Sequence, residues 1–180
     1  MISSDKETIE LLQLVKDSFP QKAELGISTL MQAGLSKVQA QRAFRQIVEP
    51  ADVIPETIPT LDDDCKRTIS PSLVARFCFA GSWQQGPRKW LNLSEMAKAA
   101  HSKKIVSTVQ AQRKHWDGSA PNMYPDRQLT VFSVVPGEEE NITYLLWIDG
   151  VSEPQIWDYV GQSENRYSSL NEYLKHIVAD

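Results

Sequence analysis

Two seven-residue runs dominate this chain, Leu129-Thr-Val-Phe-Ser-Val-Val135 and Ile142-Thr-Tyr-Leu-Leu-Trp-Ile148, and both are rich in β-branched and aromatic residues. Between them lies Pro136-Gly-Glu-Glu-Glu-Asn141, made of turn formers and acids, so the two runs predict a β-hairpin. Asp149-Gly150 is a dipeptide that turns readily, and Gln155-Ile-Trp-Asp-Tyr-Val160 then alternates between two faces. The three runs together predict an antiparallel meander.

The end of the chain predicts a closing helix. Ser169 and Glu172 have the spacing of a capping box. The apolar residues that follow recur at i, i+3, i+4, i+7 and i+8, and they are Leu170, Tyr173, Leu174, Ile177 and Val178. The helix therefore has one apolar stripe to place on the sheet. The fold class expected is α+β, an antiparallel meander flanked by helices, with an additional helical element at the N-terminus.

Composition is typical of a globular protein, with 180 residues, 41% hydrophobic and 23% charged. The first residues carry charges of both signs where a signal peptide needs an apolar run, and no segment approaches the roughly 18 apolar residues of a membrane span. The two cysteines show neither disulfide-scaffold nor metal-site spacing. We therefore expect a cytoplasmic protein with reduced thiols.

The chain divides into three predicted parts. Residues 1–48 form an N-terminal helical element, with one helix over residues 7–19 that ends before Pro20, a second over 27–34 and a third from Ser36 to 48. Residues 49–69 contain prolines at 50, 55 and 59, which predict an extended linker or wrapping arm without ladder hydrogen bonds. Residues 70–180 form the α+β domain.

The turn within residues 28–47 has the look of a helix-turn-helix, with Gly34 at the bend. The following helix presents polar side chains that reach bases in such motifs, namely Gln39, Gln41, Arg42 and Arg45. The first 48 residues are, however, not basic enough for the usual electrostatic footprint of a DNA-binding domain. A structural helical hairpin is favoured, and a DNA-binding regulator is the alternative function.

No pattern in the sequence points to catalysis. The three histidines are isolated, and residues 62–64 are best interpreted as an acidic solvated turn because no partner ligands follow at a recognisable spacing. There is no phosphate-binding glycine loop and no nucleophile motif. We therefore predict no catalytic, cofactor-binding or metal-binding residues and no cofactor. A third hypothesis is an enzyme with an unfamiliar site. The first evidence for it would be a deep polar pocket that contains carboxylates with perturbed pKa values.

From about residue 79 to 178 the order of features resembles the SMI1/KNR4 (SUKH) superfamily. The residues that carry the resemblance are Trp90-Leu-Asn-Leu-Ser-Glu-Met96, Glu153-Pro-Gln-Ile-Trp-Asp-Tyr159 and Tyr167-Ser-Ser-Leu-Asn-Glu-Tyr-Leu174. The paired-glycine turn of the family is reduced here to Ala80-Gly-Ser82. The resemblance implies a protein that works by binding other proteins, such as an immunity protein that neutralises a toxin or a regulator, and it transfers no catalytic residues.

Charge suggests the surface that such a protein would use. Residues 129–180 contain nine acids and two bases, although the whole chain has a net charge of only −4. Solvated faces explain most such asymmetry, but an acidic sheet side also favours a basic, toxin-like partner. The tentative partner-binding residues are the aromatic anchors Trp83 and Trp116 and the acids Glu138, Glu139, Glu140, Glu153 and Asp158. For each tryptophan taken alone, a position in the core is favoured over an exposed one. A membrane partner is not expected, and nucleic acid is disfavoured.

Overall fold

A computed structural model describes residues 2–51, 53–54 and 56–179 of the chain. Pro55, which contributes to the linker prediction, lies outside these residues, as do Met1 and Asp180 at the ends of two predicted parts. Over the described residues the predicted α+β class is confirmed, with seven α-helices and a seven-stranded antiparallel sheet. No helix in this part of the chain is long and apolar enough to cross a membrane.

The helices are α1 Ile2–Gln32, α2 Lys37–Ala43, α3 Pro71–Phe79, α4 Leu93–Ala100, α5 Lys103–His115, α6 Ala120–Met123 and α7 Leu170–Ala179, with a 3-10 turn at Asp126–Gln128. The strands are β1 Gln46–Val48, β2 Thr57–Pro59, β3 Lys66–Thr68, β4 Trp83–Gln85, β5 Arg88–Trp90, β6 Leu129–Val135, β7 Glu138–Leu146, β8 Gln155–Val160 and β9 Ser163–Tyr167.

The large sheet has the strand order β1-β4-β5-β6-β7-β8-β9, and every neighbouring pair is antiparallel. The predicted meander is β6 to β8. It begins its second strand earlier than expected, because the turn is confined to Pro136 and Gly137, and the three acids that follow lie in β7. The sequence analysis did not predict β9, since a polar edge strand gives little hydrophobic signal.

The N-terminal helices differ from the prediction. α1 runs through Pro20 without ending, because a buried stripe formed by Leu12, Val15, Phe19 and Ala23 continues across the proline. Burial of that stripe outweighs the roughly 3 kcal/mol that an internal proline costs. The predicted helix over 36–48 is also wrong beyond Ala43, since residues 46–48 form β1 and pair with β4.

The segment predicted as a linker contains a small hairpin. β2 and β3 pair with each other, and Ile58 is fully buried, so the expected absence of ladder hydrogen bonds is wrong here. The hairpin docks on β6, where the Thr130 hydroxyl donates to the Pro59 carbonyl at 2.6 Å and Leu61 N–H donates to the Leu129 carbonyl at 2.8 Å. The boundaries of the three predicted parts stay a prediction.

Helices cover both faces of the sheet. On one face, called the inner face here, α1, α3 and α7 pack together, and the rings of Trp90 and Tyr173 lie 6.0 Å apart. On the opposite face, the Tyr144 hydroxyl donates to Gln112 of α5 at 2.8 Å, and the Tyr159 hydroxyl accepts from the N–H of Ala120 in α6 at 2.7 Å. This double cover explains why the central strands are buried along almost their whole length.

Candidate functional site

A row of polar side chains crosses the inner face of the sheet. Ser133, Thr143, Asp158 and Asn165 are successive register partners on β6, β7, β8 and β9. Partners in an antiparallel ladder present their side chains on the same face, so the four lie side by side. A face that packs against helices is ordinarily apolar, and the burial of Ser133, Thr143 and Asp158 therefore marks this row as unusual.

Arg88 of β5 lies along this row and binds three of its members. Its Nη1 donates to Ser133 Oγ at 3.0 Å, to Thr143 Oγ1 at 2.5 Å and to Asp158 Oδ1 at 2.8 Å. The Thr143 hydroxyl donates to the same carboxylate oxygen at 2.7 Å. Arg88 and Asp158 form an ion pair in which the side chains are only 17% and 11% exposed.

Burial dominates the electrostatics of this pair. It raises the pKa of the Asp158 carboxyl, and the charge of Arg88 and the hydrogen bonds from Thr143 and Arg88 offset only part of this effect. Burial likewise raises the pKa of the Tyr173 hydroxyl, which lies against Thr143. The row therefore holds a charged pair in surroundings that disfavour its charge.

A cleft of about 670 Å³ opens above Arg88 and Asp158. Its walls are aromatic, because Tyr167 lies 5.2 Å from both Tyr173 and His176, measured between ring centroids, and Trp90 closes the side nearest β4. Phe19 and Lys22 of α1 also line the cleft, as do Ser163 and Asn165 of the edge strand β9, which are exposed. The site is thus a charged floor inside an aromatic wall.

The two predicted aromatic anchors lie outside this cleft. Trp83 is fully buried, with its ring 5.6 Å from Phe79 and 5.0 Å from Trp90, so it occupies the core position that was favoured for it and does not offer an exposed anchor. The reason is that β1 pairs on the outer side of β4 and makes it an interior strand. Trp116 is half-buried and packs edge-on against Tyr159 at 5.2 Å.

The five predicted acids do not form one surface. Glu138 and Glu140 are exposed at the start of β7, and Glu139 between them pairs with Lys104 at 3.3 Å. Glu153 instead accepts hydrogen bonds from the N–H and hydroxyl of Ser72, in the first turn of α3, where a carboxylate is stabilised by the helix dipole. Asp158 is the buried partner of Arg88. The single acidic sheet side expected from the sequence is therefore absent from the described residues.

The segment predicted as an alternative DNA-binding motif is shorter than expected. α2 has seven residues and begins with a capping box between Ser36 and Gln39. Arg42 is exposed on the helix, whereas Arg45 is exposed beyond its end, and the Arg45 carbonyl accepts from the N–H of Gly86 at 3.0 Å. Only one of the two arginines thus lies on a helix.

The sequence analysis missed most of the residues that build the cleft. The available signal was the presence of Ser133 and Thr143 inside largely apolar runs, and of Asp158 between Trp157 and Tyr159. The register that aligns them is not readable from the sequence, because an irregularity between Val131 and Ser133 shifts β6 against β7. No sequence pattern connected Arg88 with these residues, because Arg88 lies on β5, in the separate hairpin formed with β4.

Within the described residues, no group of three or more His, Cys, Asp or Glu side chains is arranged to hold a metal ion. No family model matches this chain, and no curated protein or solved structure is significantly similar to it. The resemblance to the SMI1/KNR4 superfamily stays a prediction.

Proposed function

We propose that this protein is a non-enzymatic binding module that receives a segment of a partner protein in the cleft between β9 and α1. The observation that carries the proposal is the buried Arg88–Asp158 pair at the floor of an open, aromatic-walled cleft. Apolar side chains are often at least as stable as a buried charged pair. A carboxyl whose pKa is raised by burial and that has a specific charged partner inside a cleft is a candidate functional group.

Binding fits the chemistry of the floor better than catalysis does. The cleft contains one carboxylate, and this group already accepts hydrogen bonds from Arg88 and Thr143. General acid-base chemistry would have to pair Asp158 with His176, the titratable side chain of the same lining, but the His176 ring packs against Tyr167 at 5.2 Å and the Asp158 carboxylate is already engaged by Arg88 and Thr143. The same arrangement serves well for recognition, since it fixes the guanidinium of Arg88 in one orientation.

A protein partner fits the shape of the site. The cleft is open to solvent along β9, which is the edge strand of the sheet. An extended segment of another protein reaches such a rim without entering an enclosed cavity, and edge strands commonly receive partner segments. We propose, more specifically, the immunity-type or regulatory role that the resemblance implies, with a basic partner facing Glu138 and Glu140.

Site-specific photocrosslinking in the native host tests this proposal. A photoreactive amino acid replaces Ser163 at the rim of the cleft or, as the matched control, Ser107, which is exposed on α5 away from the cleft. We expect one discrete protein adduct from position 163, none of the same mass from position 107, and loss of the adduct when Asn165→Trp fills the cleft. Equal labelling from both positions, or an adduct that Asn165→Trp leaves unchanged, contradicts the proposal.

A further inference from the structure

The edge strand β9 has backbone groups that point out of the sheet. Its antiparallel ladder with β8 starts at the two-residue turn formed by residues 161 and 162 and continues without a register shift. A turn of this length closes on a hydrogen-bonded pair, and non-hydrogen-bonded and hydrogen-bonded pairs then alternate. Glu164 and Arg166 belong to non-hydrogen-bonded pairs, so their N–H and C=O groups point away from β8. In the described part of the chain, no backbone group of another element bonds to them.

β9 lacks the usual devices by which a strand prevents pairing at its edge. These include proline, lysine and a β-bulge. The strand reads Ser163-Glu-Asn-Arg-Tyr167, and the ladder that these described residues form with β8 contains no bulge. Its only two charges have opposite signs. Charges of one sign along an edge repel a second copy, whereas one acid and one base attract it in a suitable register.

The two charged side chains are held in place on the face of the sheet opposite to the cleft. The Tyr159 hydroxyl donates to Glu164 Oε2 at 2.6 Å, and Arg166 Nε donates to Glu164 Oε1 at 2.5 Å. The guanidinium of Arg166 also lies over the Trp157 ring, 3.8 Å from its centroid. The Arg166 side chain is 51% exposed and that of Glu164 11% exposed. Both charges are therefore already oriented before any neighbour arrives.

Symmetry restricts how a second copy can pair with β9. The outward backbone groups of the two strands must meet, which allows a two-fold axis at residue 164, 165 or 166. An axis at 164 places two glutamates opposite each other, and an axis at 166 places two arginines opposite each other. An axis at 165 pairs all five residues of the strand. It also places Glu164 of each copy opposite Arg166 of the other, at the positions where backbone hydrogen bonds form.

We propose that two copies of this chain associate through β9, with a two-fold axis at Asn165, and thereby join their sheets into one. The strand is complementary in charge to itself in the only register that pairs its whole length, and this favours a second copy as the occupant of the edge. The inference does not rest on the proposed function. Such an axis is perpendicular to the sheet and keeps both inner faces on one side, so the two clefts adjoin across β9.

Two charge variants and their mixture test the pairing. Glu164→Arg leaves two positive charges on β9 and Arg166→Glu leaves two negative ones, so each variant opposes like charges in its own dimer. An equal mixture restores unlike charges at both positions. Sedimentation equilibrium at up to about 500 μM suits an interface of this small size. We expect the wild type to dimerise, each variant to self-associate at least about tenfold more weakly, and the mixture to associate within about threefold of the wild type.

A cysteine probe tests the position of the axis without changing any charge. Asn165→Cys is made in a chain with Cys65→Ser and Cys78→Ser. Position 165 opposes itself in a non-hydrogen-bonded pair with Cα atoms about 4.5 Å apart, within reach of a disulfide. The matched control is Ser163→Cys, which is exposed on the same strand, but its two copies are four positions apart, roughly 13 Å. We expect disulfide-linked dimers from position 165 under mild oxidation and less than about a tenth as much from position 163.

Thermal unfolding of each variant separates loss of the fold from loss of pairing. A wild type that stays monomeric overturns the inference, as does association that neither charge variant weakens. Two folded charge variants whose mixture does not associate, or equal disulfide yields from positions 163 and 165, also overturn it. If a charge variant fails to fold, the cysteine yields decide. In the photocrosslinking experiment, an adduct of twice the mass of the chain indicates self-pairing, whereas any other mass indicates the partner protein, so the two proposals fail separately.

Discussion

At the scale of single residues, the central feature is the buried ion pair between Arg88 and Asp158, which the stability of the fold does not explain. Arg88 and Asp158 occupy the inner face of the sheet, and their side chains are only 17% and 11% exposed. Replacing buried ion pairs by apolar residues is often neutral or stabilising. The pair is therefore better explained by what it binds than by what it contributes to stability.

The pKa of Asp158 makes this testable. Burial raises it above the ordinary value of 3.8 despite the charge of Arg88, so the folded protein binds the proton more tightly than the unfolded chain does. The contribution of such a group to stability is full below about pH 3.8 and is lost as the pH rises through the folded pKa. Asparagine has the same shape without the charge, so we expect Asp158→Asn to gain stability relative to the wild type as the pH rises from 4 to 7.

The measurement is urea unfolding of both proteins at four pH values across this range. Groups that titrate alike in the two proteins cancel in the difference between their free energies of unfolding. If the free energy of unfolding of the wild type instead rises relative to that of Asp158→Asn with increasing pH, the attraction of the carboxylate to Arg88 outweighs the cost of burying its charge. The ion pair would then stabilise the fold.

At the scale of elements, the contact between α1 and the turn into β1 depends on a glycine. A Cβ at Gly26 would lie 2.3 Å from Phe44 Cζ, so the ring of Phe44 occupies the space that any larger residue in α1 would fill. The same ring lies 3.7 Å from the position of a Cβ at Gly86, in the turn beside the cleft. Phe44 thus connects α1 to the β4–β5 hairpin that carries Arg88.

In a double-mutant cycle at this contact, we expect the effect of Gly26→Ala on stability to change sign when Phe44 is replaced. Gly26→Ala should destabilise the wild type by about 1–2 kcal/mol, because overpacking outweighs the roughly 1 kcal/mol that alanine gains over glycine in a helix. In a Phe44→Leu background the same change should stabilise the protein, since the ring is gone. Chemical unfolding measures all four proteins, and additive effects would contradict the close contact.

At the scale of the whole molecule, the charge distribution disfavours the DNA-binding alternative. The net charge is −4, and α2 presents Arg42 without a surrounding basic face of the size that DNA-binding domains use. We expect no shift of a mixed-sequence duplex in an electrophoretic assay at about 50 mM salt, where phosphate contacts are strongest. A shift that is lost in Arg42→Ala with Arg45→Ala would contradict this and support the DNA-binding alternative.

The sequence by itself determined the α+β class, the meander of β6 to β8 and the closing helix α7, because local hydrophobic periods of two and of about 3.6 residues encode these elements directly. It failed where distant contacts outweigh local preference. α1 continues through Pro20 because a buried stripe holds it, and residues 46–48 form a strand because β4 offers a partner.

Only the tertiary structure decided the site. Ser133, Thr143, Asp158 and Arg88 come from four strands and meet through sheet register, which depends on an irregularity in β6 and on hairpins that pair over long sequence separations. The same register buried Asp158, which the sequence had suggested as part of an acidic surface. Side-chain type is a local property of the chain, whereas the alignment of side chains across strands is set by backbone pairing, and no local pattern records it.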